Sequence, residues 1–185
     1  MRVIAGYAKG REIAAPKGLD TRPTLAKVKE AMFGMIQFDV EGAIVLDLFA
    51  GSGGLGIEAL SRGAKKAVFC DADRKAVSVI RDNLKKLGMT QDAEVIQGDA
   101  LKILPTLSGR SFDIVLLDPP YKTDLESNAI QLLDGLGLLS DNAIVLCEHS
   151  KDNPPVFTAN YYPREGRKYG DSYLTYAVYS RKAEQ

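Results

Sequence analysis

Asp118-Pro119-Pro120-Tyr121 follows an apolar run from Phe112 to Leu117, and these residue types suit transfer of a group to an exocyclic amino nitrogen. Such a nitrogen is a poor nucleophile because its lone pair is delocalised into the ring. The Asp118 carboxylate and the Pro119 carbonyl could accept its two N–H bonds and aim the lone pair at a methyl donor. Pro119 and Pro120 would stiffen the loop, and Tyr121 offers a face on which an extruded base could stack, worth about 1–3 kcal/mol. A proline-bearing turn with Tyr121 as a core aromatic is the plainer alternative.

A second constellation lies upstream. Ile44 to Leu48 runs into Phe49-Ala50-Gly51-Ser52-Gly53-Gly54-Leu55-Gly56, in which Gly51, Gly53 and Gly56 satisfy G-x-G-x-x-G. Glycines let backbone N–H groups approach a ligand closely, which serves a dinucleotide and an adenosyl cofactor alike. The helix N-terminus after the loop favours an anion, either a pyrophosphate or a methionine carboxylate. Asp47 would oppose a pyrophosphate there but could pair with the ammonium of a methionine tail. Asp71 stands about 20 residues past the loop, where a carboxylate accepts from ribose hydroxyls. Asp99 is placed to accept from an adenine amino group, or to cap a helix, with the Ala100 amide near a ring nitrogen. Phe49 and Ala72 join these as cofactor-binding candidates.

The elements that must hold these residues follow from periodicity. Apolar runs at Ala43 to Ala50, Ala67 to Cys70, Ala93 to Ile96, Phe112 to Leu117 and Ala143 to Cys147 alternate with helical patterns near 54 to 62, 74 to 87, 100 to 107 and 125 to 136. Val77, Ile80, Leu84 and Leu87 share one helical face. Such alternation, with nearly continuous apolar strands, predicts an α/β fold whose mostly parallel sheet is covered by helices on both sides. Phe157 to Tyr162 and Tyr173 to Ser180 lack a helix between them and predict a closing antiparallel hairpin, for seven strands in all. Arg164, Arg167 and Lys168 would lie in its turn, and Tyr176 on a strand that lies inside.

At 185 residues the chain predicts one compact unit, with residues 1–40 as a basic extension on a core of 41–185. Net charge is zero, yet residues 1 to 29 carry seven Lys or Arg against Glu12 and Asp20. Val3-Ile4-Ala5 and Glu12-Ile13-Ala14 predict a hairpin presenting Lys9 and Arg11. Arg22-Pro23-Thr24 then leads to a helix capped by Thr24, with Val28, Met32 and Met35 or Ile36 inward and Lys27 and Lys29 pointing elsewhere. Lys9, Arg11, Arg22 and Thr24 are the RNA-binding candidates; a merely solvated basic face is the alternative. Cys70 and Cys147 read as reduced, inert core residues. With His149 the only histidine, a histidine-rich metal site is excluded and no metal is expected. No secretory signal or run of about 18 apolar residues appears, so cytoplasmic residence is expected.

In order and spacing the chain resembles the RsmD-type family of 16S ribosomal RNA guanine-N2 methyltransferases. The likeness rests on Arg2 to Gly6, Gly10-Arg11, Arg22-Pro23-Thr24, Lys29 to Phe33, Asp47 to Gly56, Glu58 to Ala64 and Asp118 to Tyr121. The resemblance implies a monomeric class I methyltransferase with a Rossmann-like fold, S-adenosylmethionine as donor, and action within a small-subunit assembly intermediate, where ribosomal proteins are possible partners. Two positions depart from the family pattern: Asp71 stands where a glutamate is usual, and Leu25-Ala26 replaces a more polar pair. Other readings of the same residues are N6-adenine or N4-cytosine methylation of DNA or other RNA, a nicotinamide-dependent oxidoreductase, and a catalytically silent RNA-binding module.

Overall fold

A computed structural model describes residues 1–15, 23–120, 123–164, 166–170 and 172–181. The parallel part of the sheet is built from β1 (Ile44–Asp47), β2 (Lys66–Asp71), β3 (Ala93–Gln97), β4 (Phe112–Leu117) and β5 (Leu139–His149). These are joined by α2 (Gly54–Ser61), α3 (Arg74–Leu87), α4 (Ala100–Ile103) and α5 (Leu125–Gly135), with α1 (Pro23–Met35) preceding them. The antiparallel end comprises β6 (Tyr161–Pro163), β7 (Arg167–Tyr169) and β8 (Ser172–Tyr179). Strand order is β3-β2-β1-β4-β5-β8-β6, with β7 also on β8. The order reverses between β1 and β4, where open sheets of this kind bind ligands outside the carboxyl ends of their strands.

Both faces of the central strands β1, β2 and β4 are buried along most of their length, which explains their nearly unbroken apolar character. Along β4, Ile114 and Leu116 join a core with Met32, Phe33, Phe69 and Ile80, while Val115 and Leu117 join one on the opposite face with Leu46, Phe112 and Ile130. In α3, Val77, Ile80, Leu84 and Leu87 are all buried; the Asp73 carboxylate accepts from the Lys75 amide at one end and Gly88 closes the other. No helix among the described residues is long and apolar enough to cross a membrane.

The closing hairpin is longer and differently placed than the sequence predicts. Tyr161 to Pro163 pair with Tyr179 to Ala177, and Arg167 to Tyr169 with Leu174 to Ser172, so β6 and β7 occupy one sheet edge with a shift in register between them. The sheet therefore has eight strands on seven positions. Arg167 and Lys168 lie on β7 rather than in a turn; Arg164 lies at the irregularity, its amide donating to Tyr176 at 2.8 Å, and the chain reverses after Tyr169 instead. Phe157 precedes the strand. Tyr176 is half-buried against the core.

The extension also departs from a regular hairpin. A single bridge, Arg2 with Glu12, replaces paired strands, because the Ile4 and Ala5 amides donate to the Glu58 carboxylate at 2.8 and 2.9 Å. Thr24 lies inside the first turn of α1 rather than at its cap, since the helix already includes Pro23, a residue favoured at a first helical position. Lys29, expected to face away, is buried: its ammonium pairs with Glu58 at 3.0 Å and donates to the Arg2 carbonyl at 2.9 Å.

Candidate functional site

β4 ends at Leu117, so Asp118 and Pro119 leave the sheet beside the carboxyl end of β1 at the reversal of strand order. The loop beyond is tied down: Thr123 Oγ1 donates to the Pro120 carbonyl at 3.1 Å, and Asn153 Nδ2 to the Thr123 carbonyl at 2.6 Å. Burial raises the Asp118 carboxyl well above the ordinary carboxylate range, and the nearby Glu148, Asp47 and Glu126 carboxylates add to the shift.

Asp118, Pro119 and Pro120 open onto a cavity of about 550 Å³. Phe49, Gly51, Asp71, Ala72, Asp99 and Ala100 line the same space, so most of the predicted cofactor residues are brought together with the predicted acceptors. Asp71 serves the loop as well as the cavity: Oδ2 accepts from the Gly51 amide at 2.7 Å and Oδ1 from the Asp73 amide at 2.8 Å. Asp99 is the cap of α4, accepting from the Lys102 amide at 3.1 Å, and it also lines the cavity.

Asp47, Gly53 and Gly56 do not line it; they belong to the strand end, loop and helix start behind the residues that do. The Asp47 side chain, 1% exposed, accepts from the Gly56 amide at 2.9 Å, so an internal carboxyl oxygen already occupies the start of α2. Burial, with a smaller push from the Asp71 charge, raises this carboxyl to about 7 against the opposing pull of the Gly56 bond. A side chain at position 56 would lie 2.3 Å from the Phe69 ring, so only glycine lets α2 pack onto β2 at this point.

A family model described as Conserved hypothetical protein 95 matches residues 1–178. The chain belongs to this family, the RsmD family. YlbH of Bacillus subtilis strain 168 is 44% identical to it over 154 residues, spanning 82% of this chain and 84% of the relative. Ribosomal RNA small subunit methyltransferase D of Escherichia coli K12 is 34% identical over 185 residues, spanning 100% of this chain and 91% of the relative. Among solved structures, yhhF from Escherichia coli has a TM-score of 0.88 at 31% identity, covering 98% of this chain and 99% of that one. An RNA methyltransferase from Salinibacter ruber in complex with S-adenosyl-L-homocysteine shares the fold, with a TM-score of 0.66 at 18% identity over 90% of this chain and 97% of that one. Fold and kinship make this RsmD-family chain a methyltransferase.

Its extension is bolted to α2. Besides the Glu58 bonds, the Tyr7 amide donates to the Ser61 carbonyl at 2.9 Å, the Ala8 amide to Ser61 Oγ at 3.0 Å, and Ser61 Oγ to the Ala5 carbonyl at 2.6 Å. Gly6 makes this docking possible, because a Cβ there would lie 1.7 Å from the Ser61 oxygen. Tyr7 is nevertheless 68% exposed, beside exposed Lys9 and Arg11. The Arg11 guanidinium donates to the Lys86 carbonyl at 2.6 Å, which brings the arm against the basic last turn of α3. Lys9 and Arg11 stand outside the cavity, whereas Met1 and Ala15 of the same extension line it. Arg22 and Tyr121 lie outside the described residues, as does the side chain of Thr24.

Sequence reasoning passed over Lys29, Asn83 and Glu148. Lys29 and Glu148 both line the cavity, and Glu148 accepts from Ser172 Oγ at 2.6 Å. Asn83 exchanges hydrogen bonds with the Ala14 backbone at 2.8 and 3.0 Å and donates to the Ser52 carbonyl at 3.0 Å, joining extension to glycine loop. A polar residue beside buried Leu84, and a glutamate inside the apolar β5, were the available signals. His149 is tied into its surroundings: the Ser150 carbonyl at 2.8 Å can only accept, so Nδ1 carries a proton, and Nε2 is hydrogen-bonded to Thr175 Oγ1 at 2.9 Å. Both cysteines are buried, and burial pushes the Cys70 thiol up to about 12.

Proposed function

We propose that this chain transfers a methyl group from S-adenosylmethionine to the exocyclic N2 amino group of a guanine in small-subunit ribosomal RNA, acting on an assembly intermediate. The observation that carries this reading is the opening of Asp118 and Pro119 onto the same cavity as Asp71, Ala72, Asp99 and Ala100. Names of relatives such as the Escherichia coli methyltransferase D support the RNA class.

The residues present fit an adenosyl cofactor. Phe49 and Ala72 offer apolar surface for an adenosine, and Asp71 and Asp99 are acceptors suited to ribose hydroxyls and an adenine amino group. The Asp47 carboxylate at the start of α2 disfavours a pyrophosphate, which counts against a nicotinamide dinucleotide. When bound, the cofactor supplies an electrophilic methyl group on a sulfonium.

The chain's own work is orientation and proton handling. The Asp118 carboxylate and the Pro119 carbonyl accept the two amino N–H bonds, fixing the lone pair's direction and taking up positive charge as it develops. The burial that raises the proton affinity of Asp118 also suits it to take the proton the amine must release. The guanine must leave its stack to reach so recessed a site. On this reading Lys9 and Arg11 supply phosphate contacts and Tyr7 an aromatic face to the surrounding RNA.

The test is incubation with labelled S-adenosylmethionine and undermethylated small-subunit particles, followed by nucleotide mapping. N2-methylguanine at one position is expected. Label on adenine or cytosine, or equal transfer to duplex DNA, would overturn the assignment.

A further inference from the structure

Glu148 stands next to Asp118 across the sheet. Leu117, the last residue of β4, pairs with Cys147 of β5 in parallel register; Asp118 follows the first in the chain and Glu148 the second. Both line the cavity, on the side away from Asp71 and Asp99 in the strand order. Glu148 is only 4% exposed, and Ser172 Oγ on β8 donates to its Oε1 at 2.6 Å. Placing a second carboxylate beside Asp118 is electrostatically unfavourable, and the Glu148 charge raises the Asp118 carboxyl further. Methyl transfer to an amine needs only one such carboxylate.

The bases that carry an exocyclic amine differ at the neighbouring ring nitrogen. Guanine presents N1–H beside its N2 amino group, a row of donors on one edge; adenine and cytosine present a bare ring nitrogen there, which accepts. Two carboxylates on neighbouring strand ends form a row of acceptors. We infer that Glu148 is the residue that selects guanine, its carboxylate accepting N1–H while Asp118 and Pro119 hold the adjacent N2 amino group. A base with an unprotonated ring nitrogen at that position would set a lone pair against the buried carboxylate, a rejection far stronger than a missing contact in an open pocket. Ser172 acts as a positioning residue, its hydroxyl fixing one oxygen of the Glu148 carboxylate and so its plane.

The inference rests on the guanine reading, and 2-aminopurine separates the two. This analogue keeps the 2-amino group but has no N1 hydrogen. Particles carrying guanine or 2-aminopurine at the mapped position are compared in single-turnover transfer. The unaltered enzyme is expected to favour guanine by about 10-fold or more. Glu148→Gln places an amide where it can donate to the bare N1: transfer to guanine should fall by about 10-fold or more, transfer to 2-aminopurine should rise, and the preference should approach unity or invert. Calorimetry with S-adenosylhomocysteine establishes that the variant is folded, and the analogue comparison on the unaltered enzyme needs no variant at all. Equal rates on the two bases with the unaltered enzyme, or an undiminished guanine preference in Glu148→Gln, would overturn the role of Glu148 while leaving guanine methylation standing. Absence of transfer to guanine by the unaltered enzyme would remove the guanine reading and this inference with it.

Discussion

The Asp47 carboxylate and the Gly56 amide meet at 2.9 Å inside the turn that connects β1 to α2. This bond spans the glycine loop from strand end to helix start, and almost no solvent reaches it. Since burial lifts the Asp47 carboxyl from 3.8 to about 7, the folded chain holds that proton more tightly than the unfolded chain does. Its stabilising contribution is therefore fully present below about pH 4 and is lost as pH rises through about 7. Asp47→Asn keeps an acceptor for Gly56 without the charge. In the cofactor-free protein the stability advantage of the parent over this variant should decline between those limits, by up to roughly 4 kcal/mol. Urea titrations at several pH values check this; a difference that stays constant with pH contradicts it.

Asp118 gives a second pH signature, read in ligand binding. Its carboxyl is raised by burial and by neighbouring negative charge, and a cation placed beside it would favour the ionised form. Binding of S-adenosylmethionine should release protons and tighten as pH rises through the range where Asp118 ionises. S-adenosylhomocysteine lacks the sulfonium charge and should show a shallower dependence. Calorimetry in buffers of different ionisation enthalpy measures the proton count, and identical pH profiles for the two ligands would contradict the placement of positive charge near Asp118.

Glu58 holds the basic extension to the catalytic core. Fully buried, it pairs with Lys29 at 3.0 Å and Arg62 at 2.9 Å while accepting two amides of the extension. Glu58→Ala would leave the Lys29 ammonium and both amides buried without this acceptor, a loss of about 3–5 kcal/mol. Denaturant unfolding checks the magnitude, and increased protease sensitivity near residues 4 and 5 checks the location. A loss below about 1 kcal/mol would show that the extension is held by other contacts.

The arm should act on RNA and not on cofactor. Replacing Lys9 and Arg11 with alanine should weaken binding to small-subunit particles and flatten its dependence on salt, because fewer counterions are released. Tyr7→Ala should weaken binding with the salt slope unchanged, and Tyr7→Phe should restore it. Filter binding across a salt series separates these effects. Unchanged RNA affinity in all three variants would return the arm to a solvated surface.

How much of this was legible in the sequence depends on how local the causes are. The limits of α3 could be read directly because Asp73, the apolar period and Gly88 all lie within one short segment. The grouping of Asp71, Asp99 and Asp118 followed from one rule, that strand ends of a parallel sheet share an edge. Lys29 was misread because its burial depends on Glu58, a partner 29 residues away that helical spacing cannot reveal. Glu148, one residue past the predicted run Ala143 to Cys147, was passed over for the same reason: only the register of β5 on β4 sets it beside Asp118. The final hairpin slid because Tyr-rich segments satisfy strand propensity over many positions, and the turn and the register shift fix their ends.

The role given to Asp118 is tested most directly by single-turnover methyl transfer with Asp118→Ala, alongside calorimetric binding of S-adenosylhomocysteine to the same preparation. Retained cofactor binding with transfer slowed by roughly 10²-fold or more is the expected result. Near-normal transfer by a folded, cofactor-binding variant would contradict the proposal that this carboxylate orients the acceptor amine.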